Sequence, residues 1–477
     1  MSRLIIVANR LPVTVRAGEA GPRIEYSPGG LAVGLRGVHR PGESVWIGWP
    51  GEIPEGDANA RAKLMNEIRG FGCKPVTLTA DQVHDFYETV ANELLWPVLH
   101  SRLDKIPLRL KGWEGFREVS ALFARAVVET YRPGDLVWVH DYHLALVPQM
   151  VRELLPNARI GFFLHVPFPP EEVFRCIAER EELVTGLMGA DLIGFHTPGY
   201  AANFQATARS LLRLEGGSAP FAWQGRRVRT GAFPMGVDTA VWTQRGAAAE
   251  VREMAATLHA TNGCRRLVVG IDRLDYTKGI PRRLLAIEEM FERGLADPGE
   301  TRMIQVSVPS REAVDAYQEI RRVTDELTGR INGLYSTVDN VPIHSLYRSL
   351  AADEVASLYL AADVMLVTPL RDGMNLVAKE FVATRVDGDG VLVLSEFAGA
   401  AAELREALLV NPYSTADVAA TVARALAMPV HERRWRMERL RMRVGANDVK
   451  HWADSFLSEL ARAEAGYQQE VAALGTG

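Results

Sequence analysis

Short runs of Val, Ile and Leu alternate along this chain with longer stretches in which apolar residues return every three or four positions. The first pattern is that of strands buried on both faces and the second that of helices with one apolar stripe. Their alternation predicts parallel sheets covered by helices, an α/β fold. In the first half the strand candidates are Leu4–Ala8, Val45–Gly48, Leu136–Val139, Arg159–Val166 and Leu192–Phe195. In the second half they are Leu267–Ile271, Met303–Val308, Val364–Val367, Val391–Leu394 and Leu408–Val410. Each half reads as its own doubly wound unit. The polar, Gly-containing stretch at Phe233-Pro234-Met235-Gly236-Val237-Asp238 is the expected crossover, dividing the chain into domains of 1–240 and 241–454. Trp452, Phe456, Leu457 and Leu460 stand at helical spacing and predict a packed terminal helix, about 455–470, that returns to the first domain; beyond Tyr467 the chain is expected to fray.

Length agrees with two domains, because 477 residues exceed what one hydrophobic core serves. Two domains imply a cleft. Hydrophobic residues at 47% and charged residues at 24% exclude a disordered or collagen-like chain. A net charge of -5 leaves no basic footprint, so nucleic acid and anionic membranes are not expected partners, and any phosphate must be recognised locally. No apolar run approaches the ~20 residues that cross a bilayer. Leu4–Ala8 is shorter than a signal-peptide core and runs straight into Asn9-Arg10, so it reads as a first strand. Cys73, Cys176 and Cys264 are odd in number and lack C-x-x-C spacing, which predicts neither a disulfide framework nor a zinc site but buried thiols in a reducing cytoplasm. A homo-oligomer stays open. There is no internal repeat and no low-complexity tract.

In open α/β sheets ligands bind beyond the carboxyl ends of strands, so unusual polar residues directly after apolar runs carry the chemistry. Asn9-Arg10-Leu11-Pro12 follows the first strand, and Ser27-Pro28-Gly29-Gly30-Leu31 holds a Gly pair that lets backbone N–H groups approach a phosphate or sugar, although many such pairs only turn the chain. His140-Asp141-Tyr142-His143 follows Leu136–Val139; adjacent positions on a strand do not point at one centre, and no further cluster with metal-ligand spacing accompanies them. His165 stands at a strand end in His165-Val166-Pro167-Phe168-Pro169, where a satisfied core histidine and a ligand-facing one are both open readings. Asp272-Arg273-Leu274-Asp275-Tyr276-Thr277-Lys278-Gly279 places two cations five residues apart at a strand end, with a Gly where a helix can begin. That suits a pyrophosphate clamp, against the plainer reading of a solvated charge run. Finally, Thr368-Pro369-Leu370-Arg371-Asp372-Gly373-Met374-Asn375 leads into a helix whose free N–H groups and positive dipole end face an anion. Glu380, about two turns on, could accept both hydroxyls of a ribose.

Arg273-Leu274-Asp275-Tyr276-Thr277-Lys278-Gly279 and Pro369-Leu370-Arg371-Asp372-Gly373-Met374-Asn375-Leu376-Val377-Ala378-Lys379-Glu380 resemble the retaining glycosyltransferases of the trehalose-6-phosphate synthase family. The resemblance continues in Asn9-Arg10-Leu11-Pro12, Gly29-Gly30-Leu31, Leu95-Trp96-Pro97, His140-Asp141-Tyr142-His143, His165 to Pro169, Ser310-Arg311 and Ser395 to Ala400, and covers the chain to about residue 455. It implies a GT-B architecture of two facing Rossmann-like, doubly wound domains with an interdomain cleft, acceptor mainly on the first and donor nucleotide mainly on the second. By matching position, Arg273 and Lys278 would hold the donor pyrophosphate, Glu380 the ribose, and the backbone from Met374 through Asn375, Leu376, Val377 and Ala378 would face the donor. Asp372, His165, Gly29 and Gly30 would lie against the transferred glucose. Arg10, Tyr87, Trp96, Asp141 and Arg311 would surround glucose 6-phosphate, with Asp141 orienting the acceptor hydroxyl. Leu350 matches a position that reads the base through its backbone; its side chain departs from the family's residue, so UDP-, GDP- and ADP-glucose all stay open, UDP-glucose first.

The implied reaction needs neither metal nor cofactor, because two cations and a helix N-terminus can stabilise the leaving diphosphate. Same-face attack would assign no side chain as a nucleophile. The alternatives are a glucosylglycerol-phosphate synthase, which Arg10 and the Arg-Leu-Asp-Tyr-Thr-Lys-Gly form disfavour, and a non-catalytic sugar-phosphate sensor, which the intact set of matched residues disfavours.

Overall fold

The computed structural model describes residues 3–474 except 17–21, 28–29, 54–57, 216–219, 262, 264–265, 312–313 and 339. Two compact units emerge, one of Met1–Pro234 with Val449–Gly477 and one of Met235–Asp448.

The first unit is built on β1 (Leu4–Arg10), β2 (Val13–Arg16), β3 (Arg23–Tyr26), β4 (Ser44–Trp49), β5 (Cys73–Pro75), β6 (Leu136–His140), β7 (Arg159–Phe163), β8 (Leu192–Phe195), β9 (Phe221–Trp223) and β10 (Arg226–Ala232). Its eight-stranded sheet runs β5-β4-β1-β6-β7-β8-β10-β9, parallel except for the last pair, while β2 and β3 form a separate hairpin. The second unit carries β11 (Arg266–Arg273), β12 (Thr301–Val308), β13 (Ile343–Leu346), β14 (Val364–Val367), β15 (Val391–Ser395) and β16 (Leu408–Val410) in the order β13-β12-β11-β14-β15-β16, all parallel. Counting only the parallel strands of each sheet, both begin 3-2-1-4-5-6. That is the doubly wound dinucleotide-binding order, whose direction of winding reverses between the first and fourth strands.

The apolar runs have a simple cause in the second unit. Leu267, Val269 and Ile271, with Met365, Val367, Leu392 and Leu394, enter one core, while Val268, Val364, Leu366, Val391 and Val393 enter another. Alternate side chains of each strand thus fill helix-covered cores on both faces, which leaves no polar position to interrupt the run.

Where the strand pattern fails, local chemistry explains it. The expected Arg159–Val166 strand ends at Phe163; Leu164 N–H still bonds the Gly194 carbonyl, but Pro167 and Pro169 beyond it can donate nothing to a ladder. β10 was hidden because only Val228 of its seven residues is fully buried. It pairs with β9 through a two-residue turn at Gln224-Gly225, both with positive φ, as tight hairpins require. β5 (Cys-Lys-Pro) and β13 (Ile-His-Ser-Leu) each bury one residue fully and contain no continuous apolar run to read. The thiols are not uniformly buried either: Cys73 is buried, but Cys176 is exposed in the turn before buried Ile177. Cys264 lies outside the described residues.

The last helix, Val449–Leu474, belongs to the first unit. Phe456 stacks on Trp138 at 4.9 Å between ring centroids, and Trp452 meets the same indole at 5.0 Å. Gly161 on β7 and Gly194 on β8 make the seat, since a Cβ on either would come within 2.7 Å of the Phe456 ring.

Candidate active site

Every strand-end motif singled out in the sequence falls at a carboxyl end of one of the two sheets. In the first unit Arg10 closes β1 and Asp141 follows β6, the two strands that flank the switch point, while His165 follows β7. The pairing of β1 with β4 slips between Val7 and Arg10, so that Arg10 lies opposite Trp49. Its guanidinium carbon sits 3.8 Å above the Trp49 ring and 5.5 Å from that of Tyr87. Burial lowers the Arg10 pKa while Tyr87 and Glu52 push it back. Tyr87 belongs to a π-helix, His84–Leu95, a rare winding that often marks functional segments; its ring stacks on His143 at 5.7 Å. Trp96 begins the next helical turn and is buried, with its ring 4.1 Å from that of His100 and 5.9 Å from that of Tyr142.

Asp141 has φ 71° and ψ 164°, a region that is essentially glycine's own. Its N–H reaches back to the Phe163 carbonyl at 2.8 Å, and its Oδ1 accepts from the N–H of His165 at 3.2 Å. The strained residue and the chain after β7 therefore hold each other. His165 Nε2 lies 3.1 Å from His140 Nδ1, so one ring donates its N–H to the other. Burial holds both histidines neutral: His140 is lowered to about 3, and His165 falls well below the usual imidazole range, helped by His140 and His196. Gly29 lies outside the described residues; Gly30 opens the helix Gly30–Arg36.

The second unit brings its two charged motifs together across β11 and β14. Lys278 Nζ lies 2.6 Å from Asp372 Oδ2, and that oxygen also accepts from Asn375 Nδ2 at 3.1 Å. Asn375 in turn caps the helix Leu376–Thr384, accepting from Ala378 N–H at 3.1 Å with its own φ at 74°. The loops are locked by backbone bonds, Leu370 N–H to Thr277 O at 2.7 Å and Ala400 N–H to Met374 O at 2.8 Å. Gly279 stands at φ +70° against the Thr368 carbonyl, where a side chain would collide. Arg273 ends β11 with its side chain exposed. Met374 is buried, and Leu350, Leu376 and Val377 pack partly buried against the same core. Glu380 Oε2 accepts from the Tyr359 hydroxyl at 3.1 Å, and burial pushes its carboxyl up to about 7.

Several residues that hold this arrangement carried no sequence signal. Arg283, 1% exposed, donates to Asp272 Oδ2, Gln305 Oε1 and Thr368 Oγ1 at 2.5, 2.9 and 2.9 Å, tying β11, β12 and the loop after β14 into one base. In the sequence it is one of two adjacent arginines. Asp275 was visible as a charge but not as an anchor: its Oδ1 accepts from the N–H and hydroxyl of Thr277, both at 2.8 Å. Burial opposes its ionisation, yet Arg311, Lys278 and Arg273 outweigh that and lower it to about 2. Arg311, after β12 with φ 50°, reaches Asp275 Oδ2 at 3.8 Å. Among the described residues no three His, Cys, Asp or Glu side chains form a metal-ligand group, and no helix is long and apolar enough to cross a membrane.

A sheet of this winding with a lysine and a capped helix N-terminus at its switch point is suited to a nucleoside diphosphate. Two such sheets in one chain are the architecture of the GT-B glycosyltransferases. The chain belongs to glycosyltransferase family 20, whose profile matches residues 2–462. It is 43% identical over 475 residues to the trehalose-6-phosphate synthase of Mycolicibacterium vanbaalenii, covering 96% of each chain. Among solved structures it resembles an α,α-trehalose-phosphate synthase (UDP-forming) from Burkholderia xenovorans in complex with glucose-6-phosphate, with TM-score 0.85, 34% identity and coverage of 96% of this chain and 100% of that one. An E. coli structure bound with UDP-2-fluoro glucose matches with TM-score 0.84 and 34% identity, covering 96% and 99%.

Proposed function

We propose that this protein transfers glucose from UDP-glucose to glucose 6-phosphate with retention, giving α,α-trehalose 6-phosphate and UDP. The observation that carries the donor half is the Lys278–Asp372–Asn375 constellation at the β11/β14 switch point. Asp372 fixes the lysine ammonium by one contact, and a β-phosphate would take up the positive charge held there beside Arg273 and the N-terminus of Leu376–Thr384. Charge placed before the bond breaks costs no reorganisation during reaction. Glu380, steadied at Oε2 by Tyr359, would accept from the ribose, and the backbone near Leu350 would meet the base.

In the reaction the bond from the glucose anomeric carbon to the diphosphate breaks and one to the acceptor's anomeric hydroxyl oxygen forms on the same face. The hydroxyl proton passes to the departing phosphate oxygen, so atoms balance without a side-chain nucleophile. The protein's share is orientation and charge stabilisation. Asp141, pinned by strain and by its bond to His165, is assigned to orient that hydroxyl, and neutral His165, with Gly29 and Gly30, to line the transferred glucose. Arg10, Tyr87, Trp96 and Arg311 are assigned to glucose 6-phosphate; a guanidinium already laid over Trp49 is positioned in advance for an anion. The first unit would thus serve mainly the acceptor and the second mainly the donor.

UDP release measured with glucose 6-phosphate, glycerol 3-phosphate or no acceptor tests the reading. Release that depends on glucose 6-phosphate is expected; dependence on glycerol 3-phosphate would replace this function with glucosylglycerol-phosphate synthesis, and no release with any acceptor would point to a sensor. Running UDP-, GDP- and ADP-glucose in parallel fixes the donor.

A further inference from the structure

Tyr317 is one of the largest fully buried side chains in the protein, and its hydroxyl is committed on both sides. It accepts from Arg311 Nη1 at 2.5 Å and donates to Asp275 Oδ2 at 3.0 Å. Arg311 and that carboxylate oxygen are 3.8 Å apart, beyond a direct hydrogen bond, so the phenol fills the step between them. The other oxygen of Asp275 holds the Thr277 turn that carries Lys278. One buried carboxylate therefore anchors the lysine turn directly and the Arg311 guanidinium through Tyr317.

We propose that Tyr317 is a positioning residue that aims Arg311 at the acceptor phosphate and thereby sets the preference for a phosphorylated over a free sugar. This rests on the reading of Arg311 as a phosphate ligand. A guanidinium on a flexible stem loses rotamer freedom when it binds, and one held beforehand at a nitrogen has less to lose. Arg311 also sits at φ 50°, and its carbonyl accepts from Val314 N–H at 3.0 Å while the Val314 carbonyl accepts from Tyr317 N–H at 2.9 Å. The backbone thus brings Tyr317 back under Arg311 within six residues. The relay has a direction: Arg311 donates to the phenol and the phenol donates to Asp275. It requires a protonated phenol, and burial together with Asp275 raises the Tyr317 pKa far above its usual value. A tyrosine serving only the core would fill the same space, against the Tyr276 ring at 5.4 Å, without affecting the acceptor.

Tyr317→Phe separates the two roles, since it keeps the ring and removes the relay. Measured quantities are kcat/KM for glucose 6-phosphate and for glucose, KM for UDP-glucose, and inhibition by inorganic phosphate competing with glucose 6-phosphate. Losing one bond to a charged group predicts about a tenfold rise in KM for glucose 6-phosphate, with a matching fall in the phosphate-to-free-sugar preference and in inorganic phosphate affinity. The KM for UDP-glucose should stay within about twofold, and Tyr317→Phe should add nothing in an Arg311→Ala background. If Arg311→Ala collapses the preference while Tyr317→Phe leaves it and the phosphate affinity unchanged, Tyr317 is a core residue and the proposal fails. If Arg311→Ala itself keeps the preference, the phosphate reading of Arg311 falls first and takes this one with it.

Discussion

The two sheets begin with the same winding and place their motif residues at the same strand ends, yet the histidine pair of the first and the lysine–carboxylate cluster of the second are opposite electrostatic environments. At the first, His140 and His165 hydrogen-bond to each other among Trp138, Phe163 and Trp452, and burial keeps both rings neutral. At the second, Lys278, Arg283 and Arg311 meet Asp372, Asp272 and Asp275, and Arg311, Lys278 and Arg273 hold Asp275 ionised near the acid end of the carboxylate range despite complete burial. Topology decides where side chains converge. Whether burial neutralises them or forces them to pair depends on whether an opposite charge stands within reach. A sugar ring suits the first setting, and a diphosphate the second.

The largest expected effect breaks the first region alone. Phe456→Ala removes a fully buried ring from a seat of two glycines and should cost about 3–5 kcal/mol by denaturant unfolding. Binding of UDP to the remaining native protein should be nearly unchanged; an equal loss of UDP affinity would mean that the two regions are not separable in this way. Lys278→Ala attacks the second region, removing the charge proposed to meet the leaving phosphate and leaving Asp372 without its lysine. Its kcat should fall roughly 10²–10³-fold with the fold intact by circular dichroism. A change in KM for the donor with kcat preserved would reassign Lys278 to ground-state binding.

Glu380 sharpens the contrast through pH. Its pKa, raised to about 7, leaves the carboxyl increasingly protonated below neutrality, where it would lose the proposed ability to accept from both ribose hydroxyls. UDP affinity should therefore weaken as pH falls through about 7. Glu380→Ala should cost about 1.5–3 kcal/mol of donor binding at pH 8 and flatten that dependence, with the acceptor KM little changed. The sign for stability is opposite. A carboxyl that keeps its proton to a higher pH when folded favours the fold at low pH, and that contribution is lost as pH rises through about 7. Titration calorimetry from pH 6 to 8 reads the first effect and melting curves read the second. The smallest expected effect is none: turnover in excess chelator should equal turnover with Mg²⁺, because in the proposed reading Arg273, Lys278 and a helix end supply the positive charge. Loss of activity restored only by a divalent cation would overturn that assignment.

Strand positions in both sheets, two doubly wound halves and the motifs beyond the strand ends were legible in the sequence by itself. Their cause is periodic: strands buried on both faces must be continuously apolar, and the polar residues that follow them stand out. Lys278 and Asp372 could each be marked as site residues, but the 2.6 Å contact between them could not, because 94 positions separate them and their loops meet through the pairing of β11 with β14 and the bond from Leu370 to Thr277. Strands with one buried face, such as β10, have no continuous run to read. Arg283, Asp275, Tyr317 and His140 gained their roles only in three dimensions. A buried polar group must find partners, and which partners it finds is decided by neighbours across the sheet and not by neighbours along the chain.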